Sequence, residues 1–331
     1  MQFKTLREDF MKKHLTRIAA ATLGIFSATA ALAEYPERPI TMIVAYSAGG
    51  GTDVAARTLV PYLEKYLGND ASIVVSNKPG AGGEVGFTTL AHAKADGYTI
   101  GFINAPNILT IPIQRKARYT MEDIQPVANV VYDPGAFGIL PSAGIENLDQ
   151  LIAYAKENPG KVTYGTAGAG SDDHLAVLSL EREHGVKFRH VPFNGNADVR
   201  AALLGGHIKM ASMNVTEMVS DSEEGTVIVL GQMSKERWEG AANIPTFREQ
   251  GYDIVMGANR SLGAPAGIPA EALEKLSAAT EKAMNDPAFL AGAKDQGLAL
   301  YYMNAGDFTV SLQSLNEGYK ALWAEQPWIA Q

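Results

Sequence analysis

The chain has 331 residues and a formal net charge of −8; 46% of its residues are hydrophobic and 19% are charged. This composition is that of a globular protein with enough apolar residues for one large core or two ordinary ones, and the acidic balance argues against a nucleic-acid partner, which requires clustered Lys and Arg. The chain contains no cysteine, which excludes disulfides, thiolate-bound metals, a thiol nucleophile and a lipid anchor on an N-terminal cysteine.

The N-terminus is typical of an exported precursor. Basic residues, among them Lys12 and Arg17, precede an uncharged apolar run over residues 18–32. Small residues follow at the positions that signal peptidase reads, which predicts a signal peptide over residues 1–33, cleavage after Ala33 and a periplasmic location. The alternative is a transmembrane anchor, for which the run is short of the ~20 residues required.

Strand-like and helix-like segments alternate along the first part of the mature chain. Thr52 or Asp53 is expected to cap a helix whose apolar face includes Leu59 and Leu63. In chain order we predict a buried strand at 40–46, a glycine turn at 47–51, this helix, a strand at 72–76, a second glycine loop at 77–83, a helix at 84–93 and a strand at 98–103.

The same pattern restarts at residue 137. Ser171 or Asp172 is expected to cap a helix directly after a third glycine loop. We predict strands at 137–140, 162–164, 208–213 and 226–230, helices at 148–156, 171–183 and 197–204, the glycine loop at 165–170, an extended segment at 252–262, and a helical tail from 269 with one strand at 298–302.

This alternation favours α/β layers built on parallel sheets. Two units of similar design, near 40–105 and 137–231, predict two lobes. The C-terminal part has too few strands for a third sheet and is expected to return to the first lobe. We therefore assign residues 34–135 with 256–331 to the first lobe and residues 136–255 to the second.

The strongest local feature is a matched pair of strand–glycine loop–helix turns, at Tyr46–Asp53 and Tyr164–Asp172. Glycines allow close approach to the backbone, and the free N–H groups of a helix N-terminus favour an anion. In α/β sheets such loops lie at the carboxyl ends of strands, where ligands bind. One such turn alone could be a plain connection, but one in each lobe indicates a shared anion site.

The motifs of nucleotide sites and of common hydrolases are missing. Neither loop contains G-K-[ST] or the G-x-G-x-x-G spacing, so a small carboxylate is a better candidate than a nucleotide. There is no G-x-S-x-G or H-E-x-x-H, and Ser171 and His174 are neighbours in one helical turn, which disfavours triad geometry. The adjacent Asp172 and Asp173 are more typical of a helix start than of a cation site. No metal or cofactor is expected.

Arg260 is the most suggestive residue outside the loops. It lies in an extended segment before Ala264–Gly267, where the chain is expected to cross between lobes. A guanidinium there can pair with a carboxylate in a fork geometry. The alternative is an ordinary surface arginine.

Several motifs, in this order, resemble the substrate-binding proteins of tripartite tricarboxylate transporters, also called Bug or TctC-like receptors. The resemblance spans the mature chain and implies a two-lobed periplasmic-binding-protein fold (type II-like) with a ligand cleft between mixed or parallel sheets flanked by helices. The matching pieces are Tyr35–Ile40, Gly49–Asp53, Asn77–Gly83, Ala95–Thr99, Tyr164–Leu175, Phe193–Gly206 and Ala264–Pro269.

The resemblance also implies a ligand, partners and site residues. The ligand would be a di- or tricarboxylate, or an aromatic or amino acid carboxylate; the partners would be membrane permease subunits, and the receptor would be a monomer. Arg260 stands where many relatives are apolar, which suggests a second ligand carboxylate. The implied contacts are Tyr46, Ser47, Ala48, Gly49, Thr52 and Asp53 in the first lobe, and Thr166, Ala167, Gly168, Ser171 and His174 in the second, with Asn194 and Asp198 as further lining.

Two other functions stay open from the sequence. The protein could report ligand occupancy to a membrane sensor without transporting anything. Less favoured is a hydrolase that uses Ser171 and His174. The receptor, which is not an enzyme, is the leading interpretation.

Overall fold

The computed structural model describes residues 35–329, so the predicted signal peptide over residues 1–33 lies outside the described residues. The strands of this part of the chain are β1 (Ile40–Val44), β2 (Ile73–Asn77), β3 (Thr99–Ala105), β4 (Ile124–Ile139), β5 (Thr163–Thr166), β6 (Arg189–Pro192), β7 (Met210–Asn214), β8 (Ile228–Gln232), β9 (Gly257–Pro265) and β10 (Leu300–Asn304).

The helices alternate with these strands over most of the chain and dominate its C-terminal part. Their bounds are α1 (Gly51–Leu67), α2 (Glu84–Ala91), α3 (Asn107–Gln114), α4 (Leu148–Glu157), α5 (Asp172–His184), α6 (Asn196–Leu204), α7 (Val219–Glu223), α8 (Ala270–Met284), α9 (Pro287–Asp295) and α10 (Ala305–Glu325).

The first lobe is built on a mixed sheet in the order β2-β1-β3-β9-β4-β10. Strands β2, β1 and β3 run parallel, whereas β9 and β10 add antiparallel neighbours. The apolar strand β1 is buried over almost its whole length, as expected of a strand covered on both faces. On α1, Ala55, Leu59 and Leu63 are buried at four-residue spacing, which directs this helix face toward the sheet.

The second lobe is built on a sheet in the order β8-β4-β7-β5-β6. Strands β7, β5 and β6 are parallel, and β4 is antiparallel to β7 and β8. Each lobe has its own apolar core. The first centres on Leu59, Phe102 and Leu276, and the second includes Phe137 and Phe247, whose rings meet edge to face at 5.2 Å.

Strand β4 joins the two lobes. Its residues up to Pro134 pair with β9 in the first sheet, and from Gly135 onward it pairs with β7 in the second. A Cβ at Gly257, at the start of β9, would lie 2.5 Å from the carbonyl oxygen of Asp133. Glycine therefore lets the two crossing segments approach closely.

The two-lobed α/β architecture is as predicted, with local corrections. The sequence predicted only residues 137–140 of β4, because Pro126, Asp133 and Pro134 interrupt the apolar pattern; Pro126 is accommodated at an irregularity in the register with β9. Helix α3 was not predicted. None of the helices within residues 35–329 combines the length and apolarity that a bilayer crossing requires.

Of the two helix caps predicted from the sequence, one is wrong and one is confirmed. Helix α1 begins after Gly50, without a side-chain cap. Thr52 and Asp53 lie inside this helix, where the Asp53 carboxylate instead accepts a hydrogen bond from the Gly49 N–H at 2.9 Å. At α5 the prediction is confirmed, since the Ser171 side chain caps the helix.

Candidate functional site

A cavity of about 30 Å³ lies between the lobes, where the N-terminus of α1 faces the loop before α5. This volume admits only water-sized groups, so the two lobes are closed on each other and must part to admit a larger molecule. The lining residues are Tyr46, Gly50, Gly51, Thr52, Asn104, Asn107, Ala167, Asp172, Asp173, Asn196, Asn214, Glu217, Ala258 and Arg260.

Arg260 occupies the centre of this site with 2% of its surface exposed. Strand β9 places its guanidinium against the first turn of α1, where a Cβ on Gly51 would overlap it. The guanidinium forms ion pairs with Asp133 at 2.6 Å and Glu217 at 3.1 Å, and it donates a hydrogen bond to Asn214 Oδ1 at 2.8 Å. The predicted arginine is therefore in the cleft, but two carboxylates of the protein already compensate its charge.

Glu217 links the second lobe to the N-terminus of α1. Its Oε1 accepts a hydrogen bond from the Gly51 N–H at 2.6 Å, and its Oε2 accepts one from Asn196 Nδ2 at 2.7 Å. An anion is favoured at this position because the first N–H groups of a helix lack partners within the helix. A carboxylate of the protein thus occupies part of the anion site that the glycine loop predicted.

Three buried aspartates surround the cavity or its arginine. Burial raises the pKa of Asp133 to about 7, although the neighbouring Arg260 charge opposes this change. Burial also raises the pKa of Asp172 to about 6. The pKa of Asp173 is raised well above its ordinary value by burial and then by the adjacent Asp172. Of the described residues that line the cavity, Arg260 alone is cationic, so acidic groups predominate.

Five buried polar atoms of the lining have no hydrogen-bond partner among residues 35–329. Burying such atoms without partners costs free energy, which makes them the groups that a bound molecule would satisfy. They are the Tyr46 hydroxyl, Asn104 Oδ1, Asp173 Oδ1, Asn196 Oδ1 and Arg260 Nε.

A second set of contacts holds the lobes together beside the cavity. The Ser47 hydroxyl donates to Asp198 Oδ2 at 2.8 Å, and the Ser47 N–H donates to the Asn194 carbonyl at 3.3 Å. The glycine loops also meet, since a Cβ on Gly168 would lie 2.6 Å from the Cα of Gly82. Contacts of this kind form only when the lobes are closed.

Ser171 and His174 are arranged as a helix cap. The Ser171 hydroxyl oxygen accepts from the His174 main-chain N–H at 3.2 Å, and the His174 Nδ1 accepts from the Gly170 N–H at 3.1 Å. The His174 ring stacks on His190 with centroids 4.1 Å apart. Burial lowers the pKa of His174 to about 3, which keeps the ring neutral. These contacts hold the third glycine loop, residues 165–170, in place.

The structure divides the fourteen predicted site residues into three groups. Tyr46, Thr52, Ala167 and Arg260 line the cavity. Ser47, Gly168, Asn194 and Asp198 lie at contacts between the lobes. The others shape the loops: Gly49, Asp53, Thr166, Ser171 and His174 form hydrogen bonds within them, and Ala48 is exposed.

Sequence reasoning missed most of the polar lining. Asp172 and Asp173 were interpreted only as a helix start, although they are both a helix start and part of the cavity wall. Glu217 lies in a short turn after β7 and carried no motif signal. The other missed residues are Asn104, Asn107, Asn196 and Asn214, which follow or end strands and begin helices. Within residues 35–329, no group of three or more His, Asp or Glu side chains is arranged to hold a metal ion.

Comparison with known proteins identifies the family. The profile described as "Tripartite tricarboxylate transporter family receptor" matches residues 55–323. A protein of Cupriavidus necator, "UPF0065 protein in gbd 5'region", is 32% identical over 91% of this chain and 92% of its own length. The solved structure of periplasmic binding protein BugD has a TM-score of 0.82 at 29% identity, covering 88% of this chain and 98% of BugD.

A further structure, MatC from Rhodopseudomonas palustris with bound malate, has a TM-score of 0.80 at 25% identity and covers 87% of this chain and 99% of MatC. The profile match covers most of the chain, and both structures share its fold over nearly their whole length. The chain therefore belongs to the tripartite tricarboxylate transporter receptor family.

Proposed function

We propose that the protein is a periplasmic solute-binding receptor that captures a small carboxylate between its lobes and presents it to membrane permease subunits. The observation that carries this proposal is the closed cavity, whose walls contain five buried polar atoms without partners. A structural core would not leave so many unpaired groups in one place. The malate bound to MatC, a structural neighbour, supports a small carboxylate as the ligand class.

The donors of the cavity suggest where a ligand carboxylate lies. Arg260 Nε and the Tyr46 hydroxyl are unpartnered, and both residues line the cavity together with Gly51 and Thr52 of the first turn of α1. The N–H groups of this turn point out of the helix and favour an anion. A carboxylate here would receive hydrogen bonds from the side chains and from the helix N-terminus.

Lobe closure would turn binding into a transport signal. The ligand enters when the lobes part about the crossing segments of β4 and β9, and it favours the closed state because it bonds to both lobes. The lobe boundaries predicted from sequence, 34–135 with 256–331 and 136–255, would then be the moving units. A permease that contacts both lobes of a receptor monomer could recognise the closed form, and no catalytic step is required.

A thermal-shift screen of residues 34–331 tests this proposal. The probes are malate, succinate, glutarate, citrate, L-aspartate, L-glutamate and benzoate. A ligand that binds only the folded protein raises the melting temperature with the logarithm of its concentration, so at least one probe should do so. No response to any probe up to 10 mM, taken as about a hundred times a weak Kd, would contradict a carboxylate receptor.

The Tyr46→Phe variant locates the site. The Tyr46 hydroxyl that this variant removes has no hydrogen-bond partner in the closed protein. We therefore expect the ligand-free variant to be as stable as the wild type or slightly more stable, and we expect it to bind the ligand more weakly. Tyr62→Phe is the matched control, because Tyr62 packs on Phe289 in the first core, away from the cavity. Equal affinities for the two variants would argue against this cavity.

A further inference from the structure

The charge balance of the cavity differs from that of a site for a plain carboxylate. Arg260, its cation, already pairs with Asp133 and Glu217. Asp172 and Asp173 remain in the wall, each about 97% buried or more. A ligand that brings only carboxylates would place further negative charge among them, which is unfavourable in a buried site.

The unpartnered polar atoms also disfavour a ligand that carries only carboxylates. Asn104 Oδ1 and Asn196 Oδ1 are acceptors, and Asp173 Oδ1 becomes a third acceptor once its carboxyl group is ionised. The orientation of both amides is set by their other bonds, since Asn104 Nδ2 donates to Thr52 Oγ1 at 2.8 Å and Asn196 Nδ2 donates to the Glu217 carboxylate at 2.7 Å. A carboxylate offers no donor to these oxygens, whereas an ammonium group offers three N–H donors.

Other occupants explain these observations less well. Water could donate to the oxygens but would leave the acidic excess uncompensated. Within residues 35–329, the acidic groups are not arranged as a set of metal ligands. An ammonium group supplies both the donors and the positive charge.

We propose that the ligand is an amino-bearing carboxylate, with its ammonium group held by Asp173, Asn104 and Asn196 and its carboxylate directed toward Arg260 Nε and the first turn of α1. This proposal rests on the function proposed above and narrows its ligand class. Asp173 and Asp172 become the residues that select the amino group, while the helix N-terminus serves the carboxylate.

Calorimetric titration of residues 34–331 with matched pairs of ligands tests whether Asp173, Asn104 and Asn196 hold an ammonium group, a site called here the ammonium seat. The pairs are L-aspartate with succinate and L-glutamate with glutarate, which differ by the amino group alone. In at least one pair we expect the amino acid to bind at least ten times more tightly. Asp173→Asn, which keeps the size of the side chain, should reduce this preference at least fivefold, whereas the exposed control Asp253→Asn should leave it unchanged.

Proton release gives a second readout. The raised pKa of Asp173 favours its protonated form in the ligand-free protein, and a neighbouring ammonium charge favours the ionised form. The charged groups that act on Asp173 are Asp172, Glu217 and Arg260. Binding of the amino acid should therefore release protons, seen as a binding enthalpy that differs between phosphate and Tris buffers, and Asp173→Asn should reduce this release.

The outcomes separate this proposal from the broader one. If succinate or glutarate binds as tightly as its amino partner, the ammonium seat is wrong and the carboxylate receptor stands. If the amines putrescine or ethanolamine bind while every carboxylate fails, the two amino acids included, both the carboxylate receptor and the amino-bearing carboxylate are wrong. If no probe of either class binds, both proposals are overturned.

Discussion

The contact between Gly168 and Gly82 gives the sharpest test of lobe closure. The two glycines belong to loops of opposite lobes, and both have positive φ, 120° at Gly168 and 70° at Gly82. A Cβ on Gly168 would lie 2.6 Å from the Cα of Gly82, whereas a Cβ on Gly82 would lie 3.7 Å from the Cα of Gly168. Alanine at Gly168 therefore obstructs closure, and alanine at Gly82 does not.

The size of the effect follows from the contact distances. Carbon atoms pack at about 3.5–4.0 Å, so the loops must separate by about 1 Å to accept Gly168→Ala. Overpacking of this kind costs about 1–3 kcal/mol, and here the cost falls on the closed state alone. Affinity should then weaken by about 5- to 150-fold. The backbone strain at positive φ is present in the open state too and largely cancels from the affinity.

Calorimetry with the carboxylate that gives the largest thermal shift measures this difference. Gly168→Ala should bind more weakly than Gly82→Ala, and small-angle scattering should show that Gly168→Ala remains more expanded when ligand is added. The comparison matters because both variants carry strained alanines in the same contact. If the two variants bind with equal affinity, the closed arrangement of these loops is not the binding form.

Three further predictions concern separate parts of the site. Ser47→Ala removes the hydrogen bond to Asp198, so affinity should fall by about 2- to 12-fold in calorimetry. Arg260→Met leaves buried Asp133 without its cation and should lower the free energy of unfolding at pH 8 by about 3–5 kcal/mol in urea titrations. This loss should shrink at pH 6, because Asp133, whose pKa is about 7 even beside Arg260, is then protonated in both the wild type and the variant. His174→Asn should lose less stability on acidification than the wild type. In the wild type the buried His174 ring stays neutral, whereas in the unfolded chain it takes up a proton below its ordinary pKa of 6.5. Acidification therefore lowers the free energy of unfolding of the wild type, by about 2 kcal/mol at pH 5.

Each of these predictions can be contradicted. Wild-type affinity in Ser47→Ala would show that the bond to Asp198 does not favour closure. An Arg260→Met loss that stays the same from pH 8 to pH 6 would exclude Asp133 as the unpaired group. For the histidine, urea unfolding at pH 7 and pH 5 should show the gap between wild type and His174→Asn moving in favour of the variant. A gap that stays constant would refute a neutral, buried ring.

The sequence predicted the architecture well because local patterns encode it. Apolar runs marked the buried parallel strands, and glycines between a strand and a helix marked both loops. Strand β4 was predicted only in part, because its Pro and Asp residues are not typical of a buried strand. The structure tolerates them through irregularities in the register with β9 and through the ion pair between Asp133 and Arg260. Such compensation comes from residues far away in the chain.

The candidate site was less predictable for the same reason. Arg260 was singled out from the sequence and lines the cavity, but its partners Asp133 and Glu217 lie 127 and 43 positions away, so their pairing leaves no local pattern. Asp172 and Asp173 had a sufficient explanation as the first turn of a helix. Only the closed fold shows that the same carboxylates face a cavity.

The central claim is that a ligand binds between the two lobes, against the residues that line the cavity of about 30 Å³. It is tested most directly by calorimetric titration of residues 34–331 carrying Ala167→Leu, which enlarges a side chain of the cavity wall, beside Ala48→Leu on the exposed part of the first loop. The account predicts binding at one site per chain in the wild type and in Ala48→Leu, and a loss of about tenfold or more in Ala167→Leu. Wild-type affinity in Ala167→Leu would contradict it.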